Sequence, residues 1–173
     1  MFFKTREQCG ELANVFGFSA DPRANNLEKS VKEGVVTELL RINFNGSKNN
    51  YALARRIVSW LGASGPRLLW VTEAGIWPSS ENRHLYYQLR RSYHDYRPLL
   101  EAPGHYFDDY ETQELTTFLD LILRFGWGAF LFGPPPCYMT ISHDEWIVVG
   151  SDAGFEAILA DLDALGLSYT EVR

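Results

Sequence analysis

The amino-acid sequence predicts a single domain of the α/β or α+β class, spanning residues 1–173, in which about six helices pack against a mixed β-sheet of about five or six strands. Helix-like and strand-like hydrophobic periods alternate in the first part of the chain, and three consecutive strand-like runs follow in residues 127–150. A chain of 173 residues can bury roughly 70% of the surface that its unfolded form exposes. The hydrophobic share of 46% and the charged share of 22% also lie near globular averages.

The beginning of the chain predicts two helices. Thr5 is a typical N-cap residue, and Gln8 follows at the spacing of a capping box. Apolar residues then recur on one helical face until Gly17, where we expect the first helix to end. A second, short helix is predicted over residues 21–34, which begin with the Asp-Pro pair typical of an N-cap and first helical position.

The next elements are a strand, a helix and another strand. Residues 35–44 alternate apolar and polar side chains towards their end, which predicts a half-exposed strand. Residues 49–61 carry an apolar stripe at helical spacing and are followed by a glycine, which predicts a helix. Residues 68–72 form a continuous apolar run of strand length, so we expect this strand near the centre of the sheet.

The second half of the chain predicts three more helices around an antiparallel meander. These helices are expected over residues 77–93, 112–126 and 152–166. The strand-like runs of the meander are residues 127–132, 138–142 and 146–149, and residues 168–172 form a last strand. A three-proline run and a His-Asp pair mark the two turns of the meander.

Cysteine usage and the start of the chain bear on location. Cys9 and Cys137 are the only cysteines and do not form a CxxC pair, which is typical of a reducing compartment and favours neither disulfides nor a cysteine zinc site. Charge appears from Lys4 onward, and no apolar run approaches the roughly 18 residues of a membrane span. We therefore expect a cytoplasmic protein without a membrane segment. Phosphate-loop, Gly-x-Ser-x-Gly and His-Glu-x-x-His motifs are absent, so no cofactor is expected.

Charge is distributed unevenly along the chain. Up to Leu100 there are fourteen Lys or Arg against nine Asp or Glu, net +5, and from Glu101 onward two against thirteen, net −11. A pI near 5.2 disfavours nucleic acid as the main ligand, because phosphates would be repelled. Six carboxylates and no cation lie between Glu101 and Asp120, a composition that attracts basic proteins but is also typical of a solvated face.

Arginines cluster just before this acidic stretch. The planar guanidinium group binds carboxylates and phosphates in a bidentate manner, so an anion-sensing surface formed by Arg83, Arg90 and Arg97 is one hypothesis. Internal pairing is the alternative that the sequence favours. Its expected carboxylate partners are Glu101, Asp108, Asp109, Glu111 and Glu114.

Two short segments concentrate titratable residues. One combines His105 with Asp108 and Asp109, types that bind divalent metals, although the spacing matches no ligand signature and a turn explains it as well. The other combines His143 with Glu145 at the expected tip of a hairpin. An enzyme, such as a hydrolase that uses either histidine as a base with these carboxylates, is therefore the alternative function.

Aromatic residues are frequent where the charge changes sign. Tyr, Trp and Arg together are typical anchors of protein interfaces, and a filled core is the competing explanation. In size, acidity and aromatic content the chain resembles the immunity-type proteins that bacteria use against toxins. The resemblance implies a small acidic module that binds another, basic protein. The residues expected to form its binding surface are Arg90, Tyr93, Tyr96, Tyr106, Asp108, Asp109 and Glu111.

Overall fold

One antiparallel sheet organises the molecule. The computed structural model describes residues 1–18, 38–44, 49–62, 64–76, 83–134, 137–151 and 154–172. The strands are β1 (Phe2–Lys4), β2 (Glu38–Asn43), β3 (Arg67–Glu73), β4 (Gly104–Phe107), β5 (Gly128–Gly133), β6 (Cys137–Ile141), β7 (Trp146–Ser151) and β8 (Ser168–Val172). These eight strands lie in the order β1-β4-β3-β5-β6-β7-β2-β8, and every neighbouring pair is antiparallel.

Helices cover both faces of this sheet. The five described helices are α1 (Arg6–Val15), α2 (Asn50–Trp60), α3 (Arg83–Ser92), α4 (Thr112–Phe125) and α5 (Glu156–Leu165). Helices α2 to α5 contribute buried side chains to the larger of two core clusters, and α1 contributes to the smaller one. Side chains alternate along a strand, so Leu131 of β5 enters the larger cluster whereas its neighbours Phe130 and Phe132 enter the smaller.

Local sequence signals position the helices as predicted. The Thr5 hydroxyl accepts the Gln8 N–H at 3.3 Å and the Gln8 side chain accepts the Thr5 N–H at 3.0 Å, so the capping box at α1 is confirmed. The Asn49 side chain caps α2 by accepting the Ala52 N–H at 3.0 Å. Gly126 ends α4 at a left-handed φ of 59°, which glycine adopts without a steric cost.

The class and the meander are confirmed in their coarser form, and several details are corrected. The consecutive strands β5, β6 and β7 form the predicted meander, and β3 lies inside the sheet. The prediction of a mixed sheet is wrong, since all pairings among the described residues are antiparallel, and these residues form eight strands rather than five or six. The fold is therefore of the α+β class. Strands β1 and β4 were not predicted, because they span only three and four residues, which is too short for an alternation of apolar and polar side chains to be recognised.

Three predicted segments cannot be compared. The helix expected over residues 21–34 lies outside the described residues, and so do residues 77–82 and 152–153, where the fourth and sixth predicted helices were expected to start. None of the helices in the described ranges combines the length and the apolar character needed to cross a membrane.

Candidate functional site

The chain leaves β4 through a tight turn that carries exposed carboxylates and an exposed tyrosine. The Asp108 N–H donates to Glu111 Oε2 at 2.8 Å, and the Glu111 N–H donates to the Asp108 carbonyl at 3.1 Å. These two hydrogen bonds close residues 108–111 into a ring, which we call the acidic turn. Asp108 and Asp109 are exposed, and the Tyr110 side chain is 96% exposed. A constrained backbone thus presents an aromatic ring and two carboxylates to solvent.

Two half-buried tyrosines are influenced by the charge in and next to the acidic turn. Burial, followed by the two aspartates of the turn, raises the pKa of Tyr106 at the end of β4. Burial, followed by the carboxylates of Glu114 and Glu111, raises the pKa of Tyr93 behind α3. Tyr93 packs against the core cluster that contains Phe107, whereas alternation along β4 directs Tyr106 to the other side of the strand. The two rings therefore do not form one surface.

The carboxylates of the acidic turn differ in how far the protein itself neutralises them. Glu111 Oε1 forms an ion pair with the Met1 amino group. Burial lowers the pKa of the Arg67 guanidinium group, and the charge of Asp109 partly restores it. Asp108 forms no ion pair within the described residues. The negative charge of the turn is consequently reduced but not cancelled.

Arg90 does not belong to this surface, because it is fully buried on the inner face of α3. Its Nη2 donates to Asp95 Oδ1 at 2.8 Å, and its Nη1 donates to the Ala102 carbonyl at 3.0 Å and the Tyr86 hydroxyl at 3.2 Å. The guanidinium carbon also lies 4.4 Å from the centroid of the Phe3 ring. The prediction that Arg90 contacts a partner is therefore wrong, since its charge and donors are used inside the molecule.

Asp95 is the carboxylate that binds the arginine cluster. Arg97 Nε donates to Asp95 Oδ2 at 2.9 Å, and Arg97 Nη2 donates to the Phe3 carbonyl at 3.1 Å, which ties this segment to β1. Burial alone would raise the pKa of Asp95, but hydrogen bonds from Arg97 and Arg90 outweigh it and hold the pKa below its usual range. Internal pairing was the right alternative for these two arginines, but the partner was not among the carboxylates predicted.

The anion-sensing hypothesis for Arg83, Arg90 and Arg97 is wrong for the same reason. Arg90 and Arg97 are both committed to Asp95. Arg83 lies on the exposed side of α3 with its guanidinium group against Gly75, so it does not share an exposed face with Arg90. The three guanidinium groups therefore form no common surface for a ligand.

His105 is fully buried at the end of the same network. Its Nδ1 lies 3.2 Å from the Leu69 carbonyl, which can only accept, so Nδ1 carries the proton. Its Nε2 then accepts from the Tyr86 hydroxyl at 2.6 Å, and that hydroxyl in turn accepts from Arg90. Burial, followed by the positive charge of Arg90, lowers the pKa of His105 to about 3. The imidazole is therefore neutral and enclosed by protein.

The geometry of β4 separates His105 from the carboxylates that follow it. His105 packs against Phe118 in the core with ring centroids 4.8 Å apart, whereas Asp108 and Asp109 are exposed. The alternative in which these residues converge on a metal does not hold, because a short strand holds the imidazole inside and the aspartates lie in the turn that also explained the segment. No group of His, Cys, Asp and Glu suited to hold a metal ion occurs in the described ranges.

His143 lies at the turn between β6 and β7 and meets carboxylates on both sides. Its Nδ1 lies 2.7 Å from Glu73 Oε2, and its Nε2 lies 3.5 Å from Asp144 Oδ1. Glu73 comes from β3 and is paired with Gly128 of β5. The glycine leaves room for the Glu73 carboxylate, since an added Cβ at this position would lie 2.8 Å from Glu73 Oε2. Glu145 sits in the same turn with a left-handed φ of 61°. The predicted hairpin tip is confirmed, but the partner on β3 was not foreseen.

The structure does not support an enzyme in which His105 and His143 act at one shared site. His105 is enclosed with Tyr86 and Phe118, whereas His143 is about one-quarter exposed at 26% and pairs with Glu73 at an end of the sheet. The two imidazoles therefore belong to different environments. Their chemistry cannot combine on one substrate.

Tyr96 is the remaining residue predicted to bind a partner. Its side chain is 74% exposed and follows Asp95, which anchors the segment through Arg90 and Arg97. The ring is thus presented to solvent from a fixed backbone. No described contact joins it to the acidic turn.

Sequence reasoning missed Tyr86, Asp95 and Glu73, which hold Arg90, His105 and His143. An aromatic residue on the apolar face of α3 and a lone acid after that helix were the available signals. Neither signal identifies a partner, because the contact of Tyr86 with His105 and that of Asp95 with Arg90 both depend on how α3 packs on the sheet.

No protein-family model matches the chain. No curated protein and no solved structure shows significant similarity to it.

Proposed function

We propose that this protein is a small acidic protein-binding module whose acidic turn docks on a basic surface of another protein. The carrying observation is the turn itself, in which Asp108, Asp109 and the almost fully exposed Tyr110 project from a backbone closed by two hydrogen bonds. Complementary charge accelerates association and selects partners, and exposed tyrosines are frequent anchors of interfaces.

The distribution of internal ion pairs supports this proposal. Of the arginines that precede the acidic stretch, Arg90 and Arg97 are bound by Asp95, and Arg124 pairs with Asp120 within α4. They are therefore unavailable to neutralise Asp108. An acidic surface left with net charge attracts a cationic partner over about a Debye length, roughly 8–10 Å at physiological salt.

Preorganisation supports it as well. A turn whose backbone is already closed loses little conformational entropy on binding, so more of the contact energy appears as affinity. Tyr106 lies two residues before the turn and adds a half-buried ring next to it. The surface proposed for binding is thus the acidic turn together with Tyr106.

The finer hypothesis is an immunity-type function, in which the partner is a toxin. Toxins that act on nucleic acids need basic surfaces to bind phosphates. A constrained loop with carboxylates and a projecting aromatic ring complements such a surface in charge and in shape.

The test compares two charge-reversal variants of equal charge. Asp108→Lys with Asp109→Lys reverses the acidic turn, whereas Glu156→Lys with Glu171→Lys reverses two exposed residues near the opposite edge of the sheet. Partners captured from the native host by the wild-type protein are purified, and their affinities for the three proteins are measured by calorimetry at low and high salt.

We expect a partner with a basic surface that binds the wild-type protein and the Glu156/Glu171 variant alike. Its affinity for the acidic-turn variant should fall by at least about 100-fold, because two attractive contacts become repulsive. Retention of every partner by the acidic-turn variant at unchanged affinity would contradict the proposal.

A further inference from the structure

A groove between α2 and α4 lies outside the surface discussed so far. It encloses about 470 Å³ and is lined mainly by polar side chains from both helices. The residues that matter here are Tyr51, Arg55 and Ser59 of α2, and Thr112, Gln113 and Thr116 of α4. The volume lies in the range of small-molecule sites, about 300–1,000 Å³.

The hydrogen-bonding groups of this groove are largely uncommitted. The side chains of Tyr51, Arg55, Ser59 and Gln113 make no hydrogen bond or ion pair with the described residues. The Thr116 hydroxyl, by contrast, donates to the Thr112 carbonyl at 2.7 Å. A guanidinium group, two hydroxyls and an amide therefore face one cavity with their donors free.

Arg55 differs from its neighbour Arg56 in this respect. Arg56 Nη1 forms an ion pair with Asp161 Oδ1 at 2.9 Å, outside the residues that line the groove. Helix α2 contains no acidic residue that would neutralise Arg55. The exposed guanidinium group of Arg55 therefore lines the groove without a carboxylate partner among the described residues.

Two of the three carboxylates closest to the groove along the chain act elsewhere. Glu111 binds the Met1 amino group and the Asp108 N–H, and it provides no side-chain cap for α4. The charge of Asp109 acts on buried Arg67. Glu114 lies in the first turn of α4 and offsets part of the positive potential there. The first residues of α4, Thr112 and Gln113, line the groove at the positive end of the helix dipole, which adds to the attraction of Arg55 for an anion.

We propose that this groove binds the oxyanion group, phosphate or carboxylate, of a small polar molecule, with the Arg55 guanidinium as the anion-binding group. A guanidinium fork matches both oxyanions in a bidentate manner. The hydroxyls of Tyr51 and Ser59 and the amide of Gln113 suit a hydroxyl-bearing remainder of the ligand. The site involves none of the three arginines that the sequence suggested for this role.

The test is an NMR titration of the isotopically labelled full chain at constant ionic strength. The probes are ribose 5-phosphate and succinate, which separate the two oxyanions, and neutral ribose, which lacks both. The variants are Arg55→Gln and the matched control Arg56→Gln, since both remove one charge from adjacent exposed positions of α2.

We expect saturable shifts of the backbone amides of α2 and of residues 112–116 with at least one anion, and none with ribose. Arg55→Gln should weaken the affinity by about tenfold or more, while Arg56→Gln stays within about twofold of the wild type. The stronger anion identifies the ligand class. Equal affinities of the wild type and Arg55→Gln, or no saturable shift with either anion, would overturn the proposal.

Discussion

The buried histidine of β4 makes the stability of this protein depend on pH in a predictable way. The pKa of His105 is lowered from 6.5 to about 3 in the folded state, first by burial and then by Arg90. Between these two values the unfolded chain binds one proton more than the folded protein does. Stability therefore falls as the pH falls below 6.5, at a slope of about 1.4 kcal/mol per pH unit.

The expected effect over an accessible range follows from this linkage. Between pH 7 and pH 4.5, His105 alone should lower the free energy of unfolding by about 2.5 kcal/mol. This is a large part of the about 5–15 kcal/mol that stabilises an ordinary domain. Asp95 adds to the loss only as the pH falls towards the ordinary carboxyl pKa of 3.8, where the unfolded chain binds a proton that the folded protein, with its lowered pKa, does not yet bind.

The assay is urea unfolding of the wild type, His105→Gln and His84→Gln at several pH values between 7 and 4.5. His84 is exposed on α3 and serves as the matched control. His105→Gln destabilises the protein at pH 7, but its deficit relative to the wild type should shrink by about 2.5 kcal/mol at pH 4.5. The His84 variant should follow the wild type.

A constant deficit of His105→Gln across this pH range would refute the reasoning. The wild-type protein offers a second test that needs no stable variant. Nitrogen chemical shifts of the His105 ring at pH 5 should report a neutral imidazole with its proton on Nδ1, because Nδ1 faces the Leu69 carbonyl. A protonated ring at that pH would also contradict the assignment.

Two substitutions probe the packing around this network. Asp95→Asn removes the charge that offsets buried Arg90. It should lower the free energy of unfolding, measured in urea at pH 7, by about 3–5 kcal/mol. The control Glu11→Gln, at an exposed position, should change it by less than about 0.5 kcal/mol. Gly104→Ala places a Cβ 2.2 Å from the Cys9 sulfur and should cost about 1–3 kcal/mol in thermal or urea unfolding. Combining it with Cys9→Ala should recover part of that loss, and simple additivity of the two single changes would argue against the clash.

Features that depend on neighbours in the chain were predictable. The capping box of Thr5 and Gln8, the Asn49 cap and the end of α4 at Gly126 all involve bonds or dihedral angles within a few residues. The meander β5 to β7 was predictable as well, because turn residues separate its apolar runs. Strand β4 was not, because four residues carry too little periodicity.

The candidate sites were only partly predictable. The acidic turn was expected from its composition, and the structure leaves Asp108 and Asp109 exposed. The fate of the arginines was not predictable, since Arg90 and Arg56 look alike in the sequence but one is buried on Asp95 and the other pairs with Asp161 at the surface. The groove at Arg55 carries no motif, because its residues come from two helices that are distant in the chain.

The sequence by itself determined that helices pack on a β-sheet, the positions of most helices and strands, and the excess of negative charge in its later part. Hydrophobic periodicity and local hydrogen bonds are sufficient for these features, because both act over a few residues. The tertiary structure alone decided which charges remain available. Contacts such as those of His105 with Leu69 and of His143 with Glu73 join residues 36 and 70 positions apart. Strand order and register create these contacts, and neither can be derived from residues that are adjacent in the chain.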